Sequence, residues 1–167
     1  MQSSETPQFL LARDQLERTR LAFLDLLRSI PDSDWERPIQ GAGWTVKQEM
    51  VHVVQVMKAL QGAVNRAVTG RKPSFLSVVP SPVRNVINGR LVVPLVARRA
   101  TRESVASAYQ EAHEALLATL EGLPEEAWSR GILFPRRYRT VEELARRPVE
   151  HFDEHAAHIR HVLMTSG

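Results

Sequence analysis

The sequence contains no cysteine. That excludes a cysteine nucleophile, thiolate metal ligands and disulfides, so any thiol chemistry must draw on a small-molecule thiol. It also fits a reducing compartment. No apolar run approaches the ~20 residues of a membrane-spanning helix. The first residues, Met1-Gln2-Ser3-Ser4-Glu5-Thr6, have neither the basic patch nor the apolar core of a signal peptide. The expected location is therefore the cytoplasm, with no membrane partner. Acidic residues are missing from one long window: none lies between Glu49 and Glu103, where nine basic residues do. The rest of the chain is correspondingly acidic, which the net charge of +3 conceals. Such a segment, centred on residues 71–102, attracts an anionic ligand or an acidic partner, or pairs with the chain's own acidic remainder. Nucleic acid is disfavoured as a partner. Phe75 is the lone aromatic in the window, and no recognition motif accompanies the charge.

What remains is the composition of one globular domain, residues 1–167, with 43% hydrophobic and 25% charged residues. Its periodicity is helical. Over Pro7–Ser29, Phe9, Leu16, Phe23 and Ile30 recur every seven positions, with Leu24 and Leu27 in the same stripe. Pro31 ends that helix, and a loop marked by Pro38, Gly41 and Gly43 follows. Thr45 and Gln48 form a capping box for a second helix, which Gly70 and Pro73 stop. Its core stripe is Val46, Met50, Val53, Met57, Leu60, Val64 and Val68. Prolines 73, 80, 82 and 94 break residues 71–100 into an irregular or short-helical connection. Within it, Ser81-Pro82 opens a short helix that Gly89 closes, ahead of the apolar run 91–97. Helical periodicity returns over 101–121, with His113 read as a surface residue beside Glu111 and Glu114.

The chain then echoes itself. Leu123-Pro124-Glu125-Glu126-Ala127-Trp128 repeats Ile30-Pro31-Asp32-Ser33-Asp34-Trp35, and Thr140-Val141-Glu142-Glu143 repeats the capping box at Thr45. Two such halves predict a four-helix bundle with pseudo-twofold character. Pro148 predicts either a kink in the last helix or a fresh helix starting there.

Four of the six histidines fall in that last helix, at 151, 155, 158 and 161. His151 and His155 are one turn apart on one face, about 6 Å along the axis. Two imidazoles so placed can share a metal ion when a third ligand comes from another helix. His52 is the candidate, because it lies at comparable depth in the equivalent helix of the first half. His158 shares the face of His151 and pairs with His155 at i,i+3, so it stands as an alternative ligand. Glu150 and Glu154 lie beside the pair as candidate supports for a histidine tautomer. The bland readings are a core histidine at 52 and a solvated histidine-rich face on the last helix.

The Pro-x-x-x-Trp turn, Gly43-Trp44-Thr45-Val46, Val51-His52 and the closing His151-Phe152-Asp153-Glu154-His155-Ala156-Ala157-His158-Ile159-Arg160 together resemble the DinB-like superfamily. The resemblance implies an all-α, up-down-down-up four-helix bundle, often a homodimer. It also implies a divalent metal (zinc, nickel or iron) on His52, His151 and His155. Proteins of this kind include metal-dependent hydrolases and transferases that use a low-molecular-weight thiol on a small electrophilic substrate. The alternative it leaves is a non-catalytic, metal-binding stress-response dimer.

Overall fold

The computed structural model describes residues 5–41, 43–72, 88–134 and 137–165. Four long helices dominate it: α1 (Pro7–Ser29), α3 (Val46–Thr69), α5 (Arg102–Leu120) and α6 (Val141–Met164). Between them lie the single turn α2 (Asp32–Trp35), a π-helical turn (Asn88–Val92), α4 (Val93–Ala97) and a 3-10 turn (Glu125–Ala127). A small antiparallel hairpin, β1 (Gly131–Leu133) and β2 (Tyr138–Thr140), completes the set. The hairpin is an addition to the predicted all-helical inventory, though the protein remains an all-α bundle in architecture. Part of the predicted 81–89 helix lies outside the described residues. Gly89 sits inside the π-helical turn and so does not close a helix.

Each long helix begins where its sequence supplies a cap. Thr6 accepts from the Phe9 amide and Pro7 opens α1. Thr45 with Gln48, Thr101 with Ser104 and Thr140 with Glu143 form reciprocal capping boxes. A side-chain N-cap of this kind contributes about 0.5–2 kcal/mol. Gly70 ends α3 at φ +67°, a left-handed conformation that costs glycine least.

The repeat in the sequence is a repeat in the backbone. The amides of Asp34 and Ala127 donate to the carbonyls of Pro31 and Pro124, at 3.0 and 2.9 Å. Val46 donates to Arg37 at 3.0 Å, and Val141 donates to Arg130 at 2.8 Å. The two Pro-x-x-x-Trp turns thus set the same approach to α3 and to α6. The histidines lie toward the middle of both helices, seven residues past Thr45 on one and 11 and 15 past Thr140 on the other, where two helices of 24 residues can meet in either direction.

Around the bundle α3 packs on α5 and α6, and α1 packs on the same two. Contacts of Glu17 with His113 and of Leu27 with Arg102 make α1 and α5 antiparallel. Contacts of Glu49 with His155 and of His52 with His151 do the same for α3 and α6. Arg130, just beyond α5, reaches the carbonyl of Val68 near the end of α3, so α3 and α5 run the same way. The order is up-down-down-up. The core is the predicted stripes: Phe9, Leu16, Phe23 and Leu27 from α1, Met50, Val53, Met57, Leu60 and Val64 from α3, and Val105, Tyr109 and Leu116 from α5. Phe152 and Ile159 complete it from α6.

Two expectations need correction. α6 is continuous through Pro148, so the histidine helix does not start there. Its interior proline leaves one carbonyl without its usual amide partner. His113 is a core residue, 1% exposed, with Nε2 2.9 Å from the carboxylate of Glu17 across the α1–α5 seam. Its acidic helix neighbours face outward, while His113 lies one turn from both Tyr109 and Leu116 on the buried side of α5. The hydrogen bond with His113, and then the nearby Arg20, hold the Glu17 carboxyl below its ordinary value of 4.5. A depressed carboxyl stabilises the fold above its unfolded-state pKa and loses that contribution as pH falls through the folded one. Glu17→Gln should therefore flatten the acid limb of a plot of melting temperature against pH below about 4.5. An unchanged acid limb would show that the pair does not couple to folding.

Candidate metal centre

The approach angles set by the two capping boxes bring α3 and α6 together near their His-bearing turns. The three rings converge: centroids of His52 and His151 are 5.0 Å apart, His52 and His155 4.9 Å, and His151 and His155 4.4 Å. One nitrogen from each lies within 4.8 Å of the others. Nitrogens sharing an ion at about 2.1 Å each are at most ~4.2 Å apart, so small ring rotations suffice. His52 and His151 are each only 9% exposed.

Burial, with the neighbouring His155 ring, pushes the pKa of His52 down to about 4, against an opposing pull from Glu49. Burial followed by His155 and His52 pushes His151 down to about 3. Both rings are neutral near pH 7, the form in which an imidazole ligates a cation. Among the described residues neither nitrogen of His151 has a hydrogen-bond partner, and the carboxylate of Glu154 stands 3.6 Å from Nδ1. An orphaned buried imidazole costs about 1–3 kcal/mol. A metal ion would give it a partner, and in that sense the residues present fit the ion.

The remaining candidates fall in different places. His158 is half-exposed, 3.8 Å from Glu49. Glu150 is held by Arg146 and Arg147, and Glu154 takes two hydrogen bonds from Arg147. Of the two, Glu154 alone reaches a histidine of the cluster. In the basic segment, Arg102 is bound to the Leu27 carbonyl and Asp32, with its guanidinium over Trp35, so it ties α5 to α1.

Two neighbours of the cluster were not singled out for a role from sequence. Glu49, 1% exposed, takes the Nδ1 of His155 on its carboxylate. It lies one turn before His52 on α3, an i,i+3 spacing that was available as a signal. Trp44 sits on the approach to α3, with its ring 4.7 Å from that of His52 and 6.5 Å from that of His155. Its place in the Gly43-Trp44-Thr45-Val46 motif marked it without indicating this contact.

A carboxylate on Nδ1 fixes the histidine tautomer and leaves Nε2 as the ligand atom. The arrangement thus offers three imidazoles, one of them oriented by a buried acid, with the Trp44 ring beside two of them. No helix among the described residues is long and apolar enough to cross a membrane.

The fold has counterparts among known proteins. No curated protein matches the chain. Among solved structures, it superimposes on a mycothiol-dependent maleylpyruvate isomerase with a TM-score of 0.72 at 16% identity. The alignment covers 90% of this chain and 60% of that one, so the likeness is one of fold. A profile of the DinB superfamily matches residues 15–159. The chain belongs to the DinB superfamily.

Proposed function

We propose that the chain is a metal-dependent enzyme. One divalent first-row ion is held by His52, His151 and His155, and the substrate is a small electrophile attacked by water or by a low-molecular-weight thiol. The observation that carries this reading is His151, whose two buried ring nitrogens have no hydrogen-bond partner among the described residues. A divalent ion on three neutral imidazoles keeps its charge and an open position, and supplies Lewis acidity toward a nucleophile or an electrophile.

The chain's own residues do the rest. Glu49 keeps the proton of His155 on Nδ1. Trp44 covers the rings and limits access of bulk water. Glu154, restrained by Arg147, stands beside His151 at the edge of the cluster. The absence of cysteine makes an external thiol necessary if a thiol is the nucleophile. The similarity to a mycothiol-dependent enzyme favours that branch over hydrolysis.

Untagged protein purified without added metal should carry about one first-row ion per chain by elemental analysis. Adding Co²⁺ to the metal-free protein should quench tryptophan fluorescence, and Trp44→Phe should remove most of the quenching. Finding no ion in fresh or metal-supplemented protein would overturn the reading. Mycothiol should then alter the visible spectrum of the Co²⁺-loaded protein; an unaltered spectrum would favour water as the nucleophile.

A further inference from the structure

A second group of ligand atoms adjoins the histidine cluster and shares a ring with it. Glu49, His155 and His158 also bring one ligand atom each within 4.8 Å of one another. The carboxylate of Glu49 bridges the two rings, with one oxygen on Nδ1 of His155 and the other 3.8 Å from Nδ1 of His158. Exposure falls steeply along this line. The side chain of His158 is 55% exposed, that of His155 12% and that of Glu49 2%. The outer group opens to solvent and ends on the ring where the inner group begins.

The two groups cannot both be filled through His155 as a neutral ligand. A neutral imidazole has one ring nitrogen with a free lone pair, the other carrying the proton. An ion in the outer group takes the lone pair of Nδ1 and leaves the proton on Nε2. An ion in the inner group takes Nε2 and returns the proton to Nδ1, facing Glu49. One proton changes nitrogens and none is gained or lost overall.

Charge and ligand type assign the groups different tasks. The outer group has a carboxylate ligand, Glu49, buried where attraction to a cation is stronger than at the surface. The inner group has imidazoles only, which suit first-row ions better than a mixed set, and an ion there would satisfy His151 as well. The outer group is built to capture and the inner group to retain.

We propose that Glu49 and His158 form a loading position through which a divalent ion reaches His52, His151 and His155, passing by way of the shared His155 ring. This rests on the metal site proposed above. The test is stopped-flow uptake of Co²⁺ by the metal-free protein, and its release to a chelator, followed by visible absorption. His158→Gln should keep one ion per chain at unchanged affinity, while uptake and release both slow by about tenfold, the lower end of what loss of a supporting partner costs a metal site. An equal slowing in both directions is what an unchanged equilibrium constant requires of a position on the path.

His161→Gln, one turn further out on the exposed face, should leave both rates alone. Unchanged rates in His158→Gln, or equal slowing in His161→Gln, would overturn the loading role. Weakened affinity in His158→Gln would make it a resident ligand instead and overturn it as well. Wild-type protein that takes up no Co²⁺ at all would remove the metal site itself, an outcome distinct from the others.

Discussion

His151→Leu should leave the metal-free protein more stable than wild type and unable to gain stability from a divalent ion. The two effects have opposite signs, and one observation produces both. His151 is 9% exposed with neither nitrogen hydrogen-bonded, so the folded metal-free state carries the desolvation cost of an orphaned polar group. Removing it recovers about 1–3 kcal/mol. Leucine does not copy the shape of imidazole, and the imperfect fit returns up to about 1.5 kcal/mol of that. A net gain of about 1 kcal/mol would raise the melting temperature by about 2–4 °C for a domain of this size.

With its pKa pushed down to about 3, the ring is already neutral at pH 7, so no charge is lost in the exchange. In wild type, Co²⁺ or Ni²⁺ at a hundred times its dissociation constant adds about 2.7 kcal/mol. The variant should show no such increment. Thermal denaturation of both proteins with chelator and with excess ion gives all four values. A variant that is less stable without metal, and still responds to it, would mean that His151 is a packing residue and the proposed site lies elsewhere.

How much of this could be read in advance follows from which interactions are local. The helices, their caps and the second Pro-x-x-x-Trp turn are encoded within a few residues of each other, so periodicity and capping chemistry reach them directly. Depth is also local. Counting residues from Thr45 and Thr140 put His52, His151 and His155 two to four turns into their helices, and in the antiparallel pair those middle turns are where the rings converge.

The misreadings belong to contacts that cross between helices. His113 was assigned to the surface by its acidic sequence neighbours, but its partner, Glu17, is 96 residues away on α1. Glu49 was taken as the edge of the acid-free window, since nothing local says that its carboxylate turns inward to His155. The hairpin of β1 and β2 was missed because each strand has only three residues, too few for alternation to register. Pro148 offered two local outcomes, and packing along α6 decided between them. Pro148 is itself buried, on the same side of α6 as Leu144, Ala145 and Phe152, so the core-facing stripe runs through it without a break.

Phe23→Ala should be the most damaging single change outside the histidines, because it removes the contact that joins three helices at the level of the site. Phe23 is fully buried on α1, stacked on Tyr109 of α5 with ring centroids 3.9 Å apart and an interplanar angle of 10°. On its other side it meets Phe152 of α6 at 6.0 Å. Phe152 follows His151 in α6, so the lost contact falls on the turn that carries the candidate centre. Truncating a buried phenylalanine costs about 3–5 kcal/mol. At 2–4 °C for each kcal/mol, the melting temperature should fall by roughly 10 °C.

Leu21→Ala makes the comparison, since Leu21 is on the same helix but 53% exposed, and surface changes stay within about 0.5 kcal/mol. Excess Co²⁺ should return part of the loss in Phe23→Ala. An ion on the proposed site would bridge α3 to α6, whereas the missing ring joined α1 to α5 and α6. Recovery should therefore approach the 2.7 kcal/mol that binding adds at a hundredfold excess over the dissociation constant and go no further. Urea denaturation with and without the ion measures both quantities. A Phe23→Ala protein within 1 kcal/mol of wild type would mean that the aromatic cluster is not what presents His151 to the other two rings.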